Sequence, residues 1–236
     1  MTADTHGAAE FYRSARGAVT ARLLQQRLSM LWPDLTGDAV LGIGYAAPYL
    51  RLWRSQARRC VALTPAQMGV ARWPAGADNL SCTADEAALP FPDLVFDRII
   101  LVHGLETAES ARLLLREAWR VLKDDGRLLA VVPNRGGMWA YWEGTPFGHG
   151  HPYTLGQLGR LLSAALFRVE RRDFALWMPP SRSRLVLRSG KLLERTGRRL
   201  APGLGGVTIA EAVKDVYAAV PLKAYPRRRL VLAEAA

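Results

Sequence analysis

This sequence has little to offer disulfide or metal chemistry: its 236 residues include two cysteines, Cys60 and Cys82, and four histidines. Both cysteines fall in stretches expected to be strands, so buried, reduced thiols are expected, although adjacent strands could bring them together. No uninterrupted apolar run approaches the roughly 18 residues a spanning helix needs, so no membrane span is expected. The opening Met1-Thr-Ala-Asp-Thr-His6 lacks the basic-then-apolar order of a secretory leader, and the cytoplasm is the expected compartment. No internal repeat is visible, and neither is an Asn-Pro-Pro-Tyr segment nor an appended RNA-binding module, which lowers the nucleic-acid option. Acids are scarce beside bases, 21 Asp and Glu against 32 Lys and Arg, for a net charge of +11.

The basic excess is arginine-rich and unevenly spread. Between Ser181 and Leu200, Arg182, Arg184, Arg188, Lys191, Arg195, Arg198 and Arg199 face Glu194 alone. A surface of that kind attracts phosphate-bearing partners or anionic lipid. On a helical wheel Leu185, Leu192, Leu193, Thr196 and Leu200 share one side and Arg184, Arg188, Lys191, Arg195 and Arg199 another, which predicts an amphipathic insertion with its leucines buried. Half of the residues are apolar, enough for one substantial core in a single domain.

Residues 1–9 are expected to be disordered. Phe11 to Trp32 reads as one helix with Leu24, Leu28 and Leu31 on a face, ended by Pro33. Strands are expected at 38–45, 59–63, 79–83, 95–102, 127–132, 167–178 and 207–213, with 227–232 as an edge strand or a loose tail. Between the fourth and fifth strands, Thr107 to Leu122 reads as a helix with Leu114, Ala118, Val121 and Leu122 on one side, capped by Thr107 and stopped by Gly126. The result is a right-handed βαβ unit of a buried parallel sheet. Residues 133–153 form a long aromatic and glycine-rich loop at the carboxyl edge, where doubly wound folds bind ligands; Thr154 then caps a helix to Leu166.

Three segments in fixed order, Ala84-Asp-Glu-Ala-Ala-Leu-Pro-Phe-Pro-Asp93, Phe96-Asp97 and Arg120-Val-Leu-Lys-Asp-Asp-Gly126, resemble the second half of a class I S-adenosylmethionine-dependent methyltransferase domain of the small-molecule, methyltransferase type 11-like kind. The resemblance implies an α/β fold, a Rossmann-like doubly wound seven-stranded sheet, mostly parallel with an antiparallel last strand and helices on both faces. It implies S-adenosylmethionine as cofactor. It divides the single domain 1–236 into an N-terminal helix (10–33), which in this family often covers the cofactor or substrate mouth, a cofactor-binding core (38–178), the basic insertion (179–206), and the last strand with its tail (207–236).

In that family an acid followed by Gly-x-Gly-x-Gly closes the first strand. Here Gly42-Ile-Gly44-Tyr45-Ala46 keeps only part of it: in one register Gly42 stands at the acid's position, Gly44 is the first glycine and Ala46 stands at the second, in the other Gly42 and Gly44 are the first two glycines, and neither restores the acid. The carboxylate that takes both ribose hydroxyls is Ala62, with Thr64 nearby to offer a hydroxyl; losing such an acceptor weakens binding by roughly 1.5 to 3 kcal/mol unless another group replaces it. Asp85, with Glu86 beside it, matches the acid that accepts from the adenine amino group; the plain alternative is a turn cap. The resemblance thus assigns Gly42, Gly44, Tyr45, Ala46, Thr64, Asp85, Glu86 and His103 to the cofactor. Asp97 is expected to be structural.

Methyl transfer from a sulfonium asks chiefly for alignment and exclusion of water, with a base only where the acceptor holds its proton tightly. His103, at the end of the fourth strand, is the candidate catalytic base or acceptor-positioning group; the alternative is a pocket-lining histidine. Trp139, Tyr141, Trp142, Phe147, His149 and Tyr153 are candidates for the acceptor's wall, or for lid packing. His149 and His151 would need Glu143 or His103 to complete a metal site, and no metal is expected. The function expected is methyl transfer to a small-molecule or lipid-like acceptor, with an anionic membrane surface engaged through residues 182–199 at the inner face. The alternative is a degenerate methyltransferase fold serving as a binding or scaffolding partner of another protein, motivated by the absence of the first-strand acid, the ribose acid and two of the three glycines.

Overall fold

The computed structural model describes residues 5–69 and 72–216. Seven strands make one sheet: β1 (Ala39–Gly44), β2 (Arg59–Pro65), β3 (Ser81–Ala84), β4 (Phe96–Val102), β5 (Leu122–Pro133), β6 (Phe167–Ala175) and β7 (Val207–Lys214). Their order is β3-β2-β1-β4-β5-β7-β6. The pairs from β3 through β5 are parallel, while β7 runs antiparallel between β5 and β6. The doubly wound sheet expected from sequence is therefore present, and its last strand pairs with the fifth as well as the sixth.

Side-chain alternation divides the core in two. Val40, Ile100, Val102, Leu129 and Val131 point to one face, where the chain lays α2 (Ala15–Leu31), the short α3 (Ala47–Leu50) and the insertion. Leu41, Ile43, Ile99, Leu101, Leu128 and Ala130 point to the other, under α4 (Ala111–Val121) and α5 (Leu155–Ala164). Burial on both faces explains the near-continuous apolar strands. Cys60 lies in the first cluster and Cys82 packs against the second, with Cys82 in register with Leu63. The two thiols are free and on opposite faces, and burial pushes the Cys60 thiol up to about 12.

The family-like segments turn out to be a latch. Arg120 donates to the carbonyls of Leu89 (3.0 Å) and Phe91 (2.8 Å) and to Asp93 and Glu117 (both 2.7 Å). Glu117 in turn accepts from the Leu89 amide at 2.9 Å. Asp97 accepts from the Ala39 amide at 2.8 Å and from Lys123 at 2.5 Å, the structural role expected of it.

Several boundaries differ from the sequence reading. The leading helix is two: α1 (Thr5–Arg13) begins inside the stretch expected to be disordered, and Ser14 breaks the run by capping α2 through its hydroxyl, which accepts from Gly17. Leu31 is only partly buried. Thr107 caps nothing; its hydroxyl donates to the His103 carbonyl at 2.7 Å, and α4 starts later, capped by Ser110. That helix ends at Val121, and β5 begins at once, ahead of Gly126. The sixth strand ends at Ala175. The tail at 227–232 lies outside the described residues.

The insertion departs furthest. It forms α6 (Arg184–Arg188) and α7 (Gly190–Leu200), but Leu185, Leu192 and Leu200 are 75%, 66% and 79% exposed. The inner stripe of α7 is Gly190, Leu193, Glu194 and Gly197 instead. The reason is polar: the chain leaving β6 exposes the amides of Leu176 and Met178, and buried Glu194 accepts from both at 3.2 Å. Buried amides demand partners, so the helix turns its one acid inward and Leu192 and Leu200 outward.

One close approach fixes the site described next. Gly44 has φ +87°, and a Cβ there would lie 2.3 Å from the Val102 carbonyl oxygen and 2.6 Å from the Gly104 nitrogen. Gly37 has φ +81° with open space around it. Thermal or denaturant unfolding should therefore cost about 1 kcal/mol for Gly37→Ala, from backbone strain alone, and roughly 3–5 kcal/mol for Gly44→Ala, from strain plus the clash. Equal costs would show that the β1–β4 approach is not tight.

Candidate functional site

Strand order reverses between β1 and β4, and the crevice outside their carboxyl ends is where open α/β sheets take ligands. Backbone closes its floor. The Tyr45 amide donates to the Val102 carbonyl at 2.8 Å, and Gly104 packs against Gly44. His103 between them adopts φ +55°, an uncommon conformation for a residue with a side chain. It turns the imidazole into the crevice, where it is 2% exposed.

A polar chain runs through that imidazole. His103 Nδ1 lies 3.1 Å from Glu106 Oε1, and Nε2 lies 2.8 Å from the Tyr12 hydroxyl, itself 2.7 Å from the Tyr49 hydroxyl. With Glu106 ionised, Nδ1–H donates to the carboxylate and Nε2 accepts from Tyr12 O–H, so the bonds themselves select the tautomer. Burial raises the Tyr12 phenol well above its ordinary range, with Tyr49 and then Glu106 adding to it, so Tyr12 keeps its proton. Burial likewise raises Tyr49. Tyr12 comes from α1, which thereby reaches over the carboxyl edge; its ring stacks on Tyr45 at 5.4 Å. Phe147 contacts the imidazole at 4.5 Å.

Glu106 is 1% exposed, and its Oε2 has no hydrogen-bond partner among the described residues. Its carbonyl is occupied, accepting from the His151 amide at 2.8 Å. A buried carboxylate oxygen without a donor is costly. Sequence reasoning missed both Glu106 and Tyr12: one is three residues past His103 in an irregular turn, the other 91 residues away in a helix read only as cover.

The remaining candidates separate into several groups. Gly42 and Ala62 are register partners on adjacent strands, so the two family acids are missing from one spot. A Cβ on Gly42 would already lie 2.7 Å from Leu50 and Ala46 side-chain carbons, and α3 packs down where those carboxylates would stand. Thr64 is buried near the end of β2, and Asp85 is exposed just past β3 with one oxygen accepting from the Ala87 amide at 2.8 Å. Glu86 points elsewhere: it is buried, accepts from the Ser110 amide at 2.8 Å and from Gln67 at 2.6 Å, and so ties α4 to the turn after β2. That occupancy corrects its assignment to the cofactor.

In the aromatic loop, Trp139 is fully buried and donates to the Met178 carbonyl at 2.7 Å, a packing role that removes it from the acceptor's wall. Tyr141 and Trp142 are exposed, 73% and 50%. His149 and Tyr153 are half-buried, and Phe147 alone of the set touches His103.

Replacing Glu86 with alanine should strand the Ser110 amide and cost about 1–3 kcal/mol of stability in denaturant unfolding, with cofactor affinity unchanged within twofold. A folded Glu86→Ala protein of wild-type stability that lost the cofactor would return Glu86 to the binding site.

Comparison with known proteins bears on the domain and its fold. Residues 38–130 match the family model for a methyltransferase domain. The chain is 27% identical over 183 residues to a demethylmenaquinone methyltransferase of Deinococcus radiodurans, covering 75% of this chain and 71% of that one. A shorter stretch of 55 residues is 46% identical to a ubiquinone/menaquinone biosynthesis C-methyltransferase of Pectobacterium carotovorum, 23% of this chain and 22% of the other. Among solved structures, a methyltransferase of Thermotoga maritima superposes with a TM-score of 0.61 at 16% identity, covering 89% and 96% of the two chains. The [4+2]-cyclase SpnF gives 0.55 at 21%, covering 82% and 81%, and at these identities the likeness is one of fold. The match makes residues 38–130 a methyltransferase domain, and the fold is that of S-adenosylmethionine-dependent methyltransferases.

Proposed function

We propose that the chain methylates a small, lipid-like acceptor held beneath α1, with Glu106 supplying negative charge that Gly42 and Ala62 no longer provide. The supporting observation is the unpaired Glu106 Oε2, buried beside His103 at the switch point. S-adenosylmethionine, when bound, supplies an electrophilic methyl group on a positively charged sulfur and carries an ammonium on its methionine part. A buried carboxylate oxygen lacking a donor fits a cationic partner of that kind. Gly44, Tyr45 and Ala46 would line the methionine part with backbone, Thr64 would offer its hydroxyl, and Asp85 would accept from the adenine amino group.

His103 acts as base or positioning group in this reading. Nδ1–H on Glu106 keeps the Nε2 lone pair directed at the Tyr12 hydroxyl, so a proton leaving the acceptor reaches the imidazole through that hydroxyl, and Glu106 stabilises the imidazolium formed. Tyr12, Tyr45 and Phe147 exclude water. The lipid-like acceptor is favoured by the quinone-pathway relatives and by the apolar ring of Phe147 against the imidazole.

The exposed faces of α6 and α7 extend the reading to a membrane. Arg184, Arg188, Lys191 and Arg195 are exposed and interleave with exposed Leu185, Leu192 and Leu200, the composition of a helix lying in a headgroup layer. The protein would then work in the cytoplasm, peripheral to the inner face of the membrane, where a lipid-like acceptor resides.

Two measurements test these roles. By calorimetry, Asp85→Ala should lose about 1–3 kcal/mol of S-adenosylmethionine binding and Glu106→Gln at least tenfold in affinity; folded variants that bind like wild type would return Asp85 to a turn cap and Glu106 to His103 alone. In vesicle sedimentation, wild type should bind anionic vesicles at low salt and release them as salt rises, because exposed charges are screened beyond a Debye length of about 8 Å at physiological ionic strength. A variant with the four basic residues changed to glutamine should sediment far less. Equal sedimentation of both proteins would remove the membrane from the account.

A further inference from the structure

A second polar oddity lies on the outer side of the same aromatic wall. Arg16, in the first turn of α2, is 8% exposed and meets no acid among the described residues. Its guanidinium donates to the Gly144 carbonyl at 2.6 Å and more distantly to the Pro180 carbonyl at 3.4 Å, it sits 5.3 Å from the centre of the Phe11 ring, and its Nε has no partner. A cavity of about 400 Å³ opens against it, bordered by Phe11, Ser14, Gly144, Arg182 and Glu10. Glu10 is exposed and makes no ion pair with Arg16. Arg182 brings a second positive charge to the rim.

We propose that this cavity is an anion subsite, in which Arg16 and Arg182 hold a carboxylate or phosphate group of the acceptor while its apolar part runs past Phe11 toward His103. The inference rests on the methyl-transfer reading and narrows its substrate class to acid-bearing amphiphiles. A buried guanidinium satisfied only by carbonyls leaves its charge uncompensated, and its planar fork is suited to an oxyanion. Burial, with Arg182 as the second cause, pushes the Arg16 guanidinium down from its ordinary range, as expected of a cation awaiting a counter-charge. The geometry joins the subsite to the reaction centre. Phe11 lines the cavity and meets Tyr12 at 5.1 Å and Phe147 at 6.3 Å, and both of those contact His103. One layer of packed rings separates the cavity from the imidazole, and the acceptor's chain would part it beside Phe11 to reach His103.

The test is calorimetry on the full chain at constant ionic strength with octyl phosphate, inorganic phosphate and neutral octyl glucoside as probes. Octyl phosphate should bind at least tenfold more tightly than octyl glucoside, and both Arg16→Gln and Arg182→Gln should weaken it tenfold and threefold, while S-adenosylmethionine affinity stays within twofold of wild type. Inorganic phosphate binding as tightly as octyl phosphate would assign the cavity to a free anion and overturn the amphiphile. Octyl phosphate binding no better than octyl glucoside, or binding equally well to both folded variants, would overturn the subsite and leave Arg16 as a tether of the Gly144 and Pro180 carbonyls. Should Arg16→Gln not fold, Arg182→Gln and the wild-type probe series decide the matter. Titration with S-adenosylmethionine separates the two readings: its failure alongside arginine-dependent octyl phosphate binding removes methyl transfer and keeps the subsite, and the reverse pattern removes only the subsite.

Discussion

A carboxylate buried to 1% exposure with one oxygen unsatisfied is the constraint on which the carboxyl edge of this sheet depends. Glu106 cannot be relieved by solvent, so it orders what surrounds it: the imidazole of His103 through Nδ1, and through that imidazole the hydroxyls of Tyr12 and Tyr49. Those bonds draw α1 across the crevice. In a low-dielectric site such a chain is strong when satisfied and costly when not, so one remaining lone pair is a local demand for a proton donor or a cation. The close packing of Gly44 and Gly104 beneath it leaves the backbone little room to relax that demand.

A related logic operates on the far side of α2. The chain leaving β6 needs acceptors for two amides, and Glu194 meets them, which turns α7 so that Leu192 and Leu200 face out among the arginines. A little further along, Arg16 bridges the Gly144 and Pro180 carbonyls and has no acid to offset it. The family positions that are empty of charge, Gly42 and Ala62, lie in one register under α3, while uncompensated charge of both signs occurs around the aromatic opening.

The sheet was legible because its signals are local. Apolar runs marked the strands, and the Arg120 segment marked the unit whose latch it forms. His103 and Phe147 were named because a strand end and a loop at the carboxyl edge point to a site, and the structure packs their rings 4.5 Å apart. Glu86 was misjudged for a reason local patterning cannot expose: its partners are Ser110 and Gln67, brought together only by the packing of α4 against β2. Trp139 likewise read as a ligand surface until its indole met the Met178 carbonyl. The leucine face of α7 failed most plainly, since a helical wheel separates apolar from basic residues and does not foresee that a single acid will be required inside. Tyr12, Arg16 and Glu106 left no signal because each acquires its meaning from residues distant in sequence or from a partner that is missing.

Calorimetric titration of the full-length wild-type protein with S-adenosylmethionine and with its demethylated product tests the central claim most directly. The account predicts one saturable site per chain in the micromolar range, with the sulfonium form binding more tightly than the neutral thioether because Glu106 has an oxygen to offer the extra charge; a tenfold preference corresponds to about 1.4 kcal/mol. Absence of heat from either ligand at millimolar concentration would contradict the account, and equal affinity for the two would contradict the assignment of that carboxylate to the sulfonium.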